Sequence, residues 1–113
     1  MGSEIYPPSL ANAVRYAHAV TRRPVLSTEH GLCTDRDSLR ASLILAALAE
    51  LGRAIGDGVP VLGYLHWSLI DTYEWVFGYR NVFGLHSVDR RTFARTPRPS
   101  AAVYAAIVRA NAA

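Results

Sequence analysis

The sequence has no lysine, one cysteine, one methionine and no long apolar run. A lone Cys33 cannot close an internal disulfide, so no disulfide framework supports the fold, and a reducing compartment suits the chain. Nothing approaches the roughly eighteen consecutive apolar residues of a membrane helix, and the N-terminus lacks a basic stretch followed by an apolar core. The expectation is a soluble, cytoplasmic chain with no membrane partner. Charged residues are also few, at 19%, against 50% hydrophobic, which excludes a disordered polar segment. All twelve basic residues are arginine, and only Arg22-Arg23 and Arg90-Arg91 are adjacent. The net charge of +3 is therefore spread out. Without a basic stripe carrying interleaved aromatics, no nucleic-acid partner is expected.

What the sequence does contain is apolar periodicity of two kinds. After Pro7-Pro8-Ser9, the residues Leu10, Ala13, Val14, Ala17 and Val20 recur at helical spacing to about Thr21. Pro24 to Thr28 reads as a short buried strand presenting Glu29 at its carboxyl end. Thr34, Asp35 and Asp37 are N-cap candidates for a second helix whose apolar face is Leu39, Leu43, Ile44, Leu48, Leu51 and Ile55. That helix should end at Gly56 to Gly58. Val59 to Trp67 reads as a second strand, with Pro60 tolerated at its start. Strand, helix, strand is a βαβ unit, so the fold class is α/β, with both strands opening on one edge of a parallel sheet. Beyond it, Ser68 to Tyr79 is aromatic and turn-rich, and Phe83 to Val88 suggests a short strand turning at Asp89-Arg90-Arg91. Ser100, behind Pro97 and Pro99, is a cap for a last helix through Val108.

Two motifs stand on the edge where α/β proteins place their chemistry. They are Thr28-Glu29-His30-Gly31 and Trp67-Ser68-Leu69-Ile70-Asp71-Thr72-Tyr73-Glu74-Trp75. Together with Phe83-Gly84-Leu85, Val88-Asp89 and Arg95-Thr96-Pro97, in that order, they resemble the C-terminal third of family 1 glycoside hydrolases, the β-glucosidase family. The resemblance implies the last two βα units, strands seven and eight, of a (β/α)8 TIM barrel. Residues 1–113 would be the C-terminal portion of that barrel, since a whole one needs about 250 residues.

The resemblance also implies roles. Glu29 matches the nucleophile of a retaining β-glycosidase, which forms a covalent glycosyl-enzyme with the help of a second carboxyl about 5 to 5.5 Å away. Trp67 matches the platform that stacks on a sugar ring. Glu74 and Trp75 match contacts to sugar hydroxyls, and Phe83 a pocket wall. The substrate would be a β-linked sugar, with no cofactor and no metal. Read without the resemblance, Glu29 is a strand-end carboxylate and the tryptophans are core.

The chain departs from the family pattern in three respects. Ser3 replaces a tryptophan and His30 an asparagine, the latter setting a group that titrates near neutrality beside Glu29. The Asn-Glu-Pro motif that carries the family's acid/base is absent. A His30-x-x-Cys33 pair alone is a weak start to a zinc site. Two classes of function follow: the nucleophile half of a glycosidase, completed by an N-terminal barrel portion or another chain, or a non-catalytic remnant or sugar-binding module.

Overall fold

The computed structural model describes residues 4–111; Ser3 lies outside them. Helix α1 (Ser9–Thr21) leads into strand β1 (Val25–His30), helix α2 (Asp37–Gly56) and strand β2 (Val61–His66). A short 3-10 turn at Trp75–Phe77 precedes strands β3 (His86–Val88) and β4 (Arg95–Pro97), and helix α3 (Pro99–Ala110) closes the chain. Strands β1 and β2 are parallel, while β3 and β4 form an antiparallel hairpin. The hairpin turn is organised by Asp89, whose carboxylate accepts from the N–H groups of Arg91 and Thr92. Strand β4 had no signal beyond its family motif, because three exposed residues, one of them proline, show no alternation.

The core lies between one face of the strand pair and the helices. Leu10 and Val14 of α1 meet Leu43, Ile44, Ala47, Leu48 and Leu51 of α2, with Val25, Val61, Tyr64, Tyr104 and Ile107 packed around them. Burying each large aliphatic side chain contributes about 1.5–3 kcal/mol. Two expected core positions are not buried: Val20 is 65% and Ile55 50% exposed. Both sit in the last turns of their helices.

The strands are covered on one face only. Leu26, Leu62 and Leu65 are 46%, 71% and 53% exposed, so the uncovered face of the strand pair is apolar. Three helices on one side leave nothing to cover the other. Among the described residues no helix is long and apolar enough to cross a membrane.

The helix caps are also corrected. Arg36 occupies the N-cap position of α2 and makes no side-chain cap bond. Asp37 instead serves α3: its carboxylate accepts from the Ser100 N–H at 2.7 Å and the Ser100 hydroxyl at 2.6 Å. Ser100 is fully buried and lies inside the helix, behind the N-cap Arg98. The cap thus comes from 63 residues away in sequence. Asp37 also holds Arg40, whose side chain is fully buried and donates to the carbonyls of Thr34 at 2.6 Å and Val82 at 2.9 Å.

Candidate active site

The register of β1 and β2 decides which way Glu29 faces. Val25 pairs with Val61, Leu26 with Gly63, Ser27 with Tyr64, and His30 with His66. The ladder therefore gains one residue on β2 at Leu62 and returns it on β1 across Thr28-Glu29. An extra residue in one strand flips the faces beyond it. Strict alternation from Val25 and Ser27, which face the helices, would put Glu29 on the helix side. With the bulge, His30 faces the helices and Glu29 is exposed on the other side.

His30 is turned away from the open face. Its Nδ1 lies 3.0 Å from the Tyr64 hydroxyl, and its ring meets the Tyr64 ring edge-on. Burial holds its pKa below the ordinary histidine value, which favours the neutral ring. That direction disfavours a charged neighbour for Glu29. The other side of the Tyr64 hydroxyl meets His66 Nδ1 at 2.9 Å. His66 is pushed down to about 4, first by burial and then by His30 and Arg40. Its Nε2 is buried without a partner, so this histidine is only half satisfied.

Beside Glu29, the Trp67 N–H donates to the His30 carbonyl at 2.9 Å, which sets the two strand ends side by side. Gly31 makes this possible, since a Cβ there would stand 1.8 Å from the Trp67 carbonyl oxygen. The Trp67–Ser68 peptide is cis, and Trp67 is 36% exposed. From Ser68 on, the chain runs along residues 83–86. The Ser68 N–H donates to the Phe83 carbonyl at 3.4 Å, Leu85 N–H to Ser68 at 2.9 Å and His86 N–H to Leu69 at 3.0 Å. Phe83, half-buried, is thereby brought next to the Trp67 end of β2.

Asp71 fixes the loop that follows. It accepts from the Gly84 N–H at 2.8 Å and from both Arg98 terminal nitrogens, at 3.2 and 2.6 Å. Such a two-pronged arginine contact constrains direction as well as distance. Gly84 has no room for a side chain, because a Cβ would lie 2.4 Å from the Asp71 nitrogen. Arg90 donates to the Asp71 carbonyl at 2.7 Å and covers the Tyr79 ring, 4.0 Å from its centre. On this frame Glu74 is half-buried and accepts from the Thr72 hydroxyl at 2.7 Å. Trp75, at φ 47°, is 83% exposed. Sequence reading gave Asp71 and Arg98 no role. Asp71 stood out only as a member of the Trp67–Trp75 motif, and Arg98 only as an arginine between two prolines.

The site therefore has Glu29, Trp67 and Phe83 on neighbouring backbone, with Glu74 and Trp75 on the loop beyond. A groove of about 810 Å³ opens elsewhere, between α2, α3 and β2, and none of these five residues lines it. Among the described residues, no three or more His, Cys, Asp or Glu side chains gather to hold a metal.

The sequence profile for glycosyl hydrolase family 1 matches residues 1–113. The chain belongs to glycosyl hydrolase family 1. It is 38% identical over 110 residues to a β-galactosidase of Sulfolobus acidocaldarius, covering 97% of this chain and 22% of that protein. The β-glycosidase of Thermosphaera aggregans superposes with a TM-score of 0.94 at 39% identity, over 98% of this chain and 23% of that one. A β-glucosidase of Thermotoga maritima, in complex with a substituted glucoimidazole, gives 0.95 at 31% identity over 100% and 28%. These family 1 neighbours are TIM-barrel glycosidases. The chain spans 22% to 28% of their length.

Proposed function

We propose that the chain is the C-terminal portion of a retaining β-glycosidase of the β-glucosidase type, formed by the last two βα units of its barrel. Glu29 is its nucleophile. One observation carries this reading: the bulge in β1 leaves Glu29 exposed on the face opposite the helices, beside the Trp67 end of β2. A carboxylate so placed attacks the anomeric carbon of a β-linked glucoside. The bond to the aglycone breaks, its electron pair leaves on the oxygen, and a carboxyl from the rest of the barrel protonates that oxygen. Water then hydrolyses the glycosyl ester. Trp67 stacks on the sugar, Glu74 accepts from its hydroxyls, Trp75 donates through its indole N–H, and Phe83 walls the pocket.

An activated 2-deoxy-2-fluoro-β-glucosyl fluoride tests this, because fluoride leaves without acid assistance. With the chain completed by the remaining barrel units of a relative, mass spectrometry should find the sugar on Glu29. A sugar on Glu74, or none at all, overturns the assignment.

A second reading, a chain that binds a partner without catalysing, is favoured by the open apolar face of Leu26, Leu62 and Leu65. Such a face promotes association. Light scattering distinguishes the two readings when combined with the labelling above: association without any label on Glu29 supports the partner role alone.

A further inference from the structure

Outside the sugar-facing side, the polar cluster with the most specific geometry is the one behind Glu29. The Tyr64 hydroxyl lies 3.0 Å from His30 Nδ1, 2.9 Å from His66 Nδ1 and 3.3 Å from the His30 carbonyl oxygen. A hydroxyl has one proton and two lone pairs. With both imidazoles neutral and protonated at Nδ1, Tyr64 accepts from each and donates to the His30 carbonyl, so all three of its sites are used. Burial, and secondarily Tyr104, pushes the Tyr64 pKa up, so the hydroxyl keeps its proton. Tyr64 is anchored in turn: Tyr104 of α3 donates to its carbonyl at 3.3 Å and packs edge-on against its ring.

These bonds close the bulge that contains Glu29. Across Thr28-Glu29 the regular ladder is interrupted, and the next pairing is His30 with His66. Both residues of that pair are gripped by Tyr64 on the helix side. If His30 were free to return to the open face, alternation would carry Glu29 toward the helices. We propose that Tyr64, through His30, is a positioning residue that keeps Glu29 turned to the open face. The proposal rests on the glycosidase reading for its purpose, but not for its geometry. It also accounts for histidine in place of asparagine: Nδ1 of histidine and the amide atoms of asparagine are both bonded to Cγ, so either presents a polar atom to the hydroxyl at the same point.

The test reads the direction of Glu29 without requiring catalysis. The intact chain is treated with a carbodiimide and glycine ethyl ester, and modification is quantified by mass spectrometry. Exposed Glu4 is the reference, and half-buried Glu50 monitors unfolding. In Tyr64→Phe, modification of Glu29 should fall several-fold relative to Glu4, while carbethoxylation of His30 rises. Unchanged Glu29 modification in a folded variant overturns the proposal. Should Tyr64→Phe unfold, seen as Glu50 rising to match Glu4, the pair His30→Ala and His30→Asn decides. Alanine should lose Glu29 modification and asparagine should restore it. Equal modification in both and in the parent chain refutes the latch. Loss of the glycosidase reading would leave these modification patterns unaltered, so the two ideas fail separately.

Discussion

Gly31 faces the carbonyl of Trp67 so closely that a methyl group on it would stand 1.8 Å from that oxygen. Both partners are backbone, so neither can swing aside as a side chain would. Gly31→Ala should push the end of β2 from β1, costing about 1–3 kcal/mol or more, as overpacking does. Measured in a Trp75→Phe background, the fluorescence of Trp67 should shift and the melting temperature fall. Gly52→Ala is the contrast, because that helical position has nothing within 4 Å of an added Cβ. It should stabilise by up to about 1 kcal/mol.

Asp37 has two dependants, and its loss should be felt by both. Removing it leaves the buried Arg40 guanidinium without its carboxylate and the start of α3 without its acceptor. Breaking a buried ion pair from one side costs about 3–5 kcal/mol. Asp37→Ala should lose that much in urea unfolding. Ser100→Ala gives up a single hydroxyl bond to a charged group and should cost about 1.5–3 kcal/mol. If the two variants were equally stable, Arg40 would have found other support.

The contrast between these residues shows what the sequence could disclose. The βαβ unit, its helix limits and the motif positions were legible because apolar spacing is local: Ser9–Thr21 and Asp37–Gly56 follow from it almost to the residue. The direction of Glu29 was not, since a bulge depends on how β1 pairs with a strand more than thirty residues away. Nor was the cap from Asp37 to Ser100, which needs α2 and α3 to be adjacent first. The partner of His30 was out of reach for the same reason. Its partner Tyr64 lies 34 residues on, and without it a histidine beside a carboxylate looks like a charged neighbour.

The two half-buried histidines make the chain sensitive to mild acid. His66 is lowered to about 4 from an ordinary 6.5, and His30 is lowered too. The unfolded chain therefore binds protons first as pH falls. The stability they confer is complete above about 6.5 and is lost on descending toward 4. Below the folded value the loss levels off. For His66 the full span corresponds to about 3 kcal/mol at most, less the screening of a partly exposed ring. The groups around it are the Tyr64 hydroxyl, His30, Arg40 and the Tyr104 ring. His66→Gln should flatten the decline in urea stability between pH 6.5 and 4. An equally steep decline in that variant would place the sensitivity elsewhere.

The final prediction separates the two glutamates of the open edge, in the chain completed with the remaining barrel units of a relative. If Glu29 is the nucleophile, Glu29→Ala should abolish turnover of an aryl β-glucoside. Azide should restore part of it by entering the vacated face, and the product should be inverted, because one displacement replaces two. Glu74 is held by Thr72 on the loop beyond Trp67, and in the proposed reading it grips sugar hydroxyls without meeting the anomeric carbon. Glu74→Ala should keep the retaining outcome and lose roughly 1.5 to 3 kcal/mol of transition-state binding, about ten- to a hundredfold in kcat/KM. Thr72→Val should repeat a fraction of that loss by freeing the Glu74 carboxylate. The swapped result is the decisive one. Inverting azide rescue of Glu74→Ala, with Glu29→Ala still active, would transfer the nucleophile to the loop and reduce Glu29 to a strand-end carboxylate.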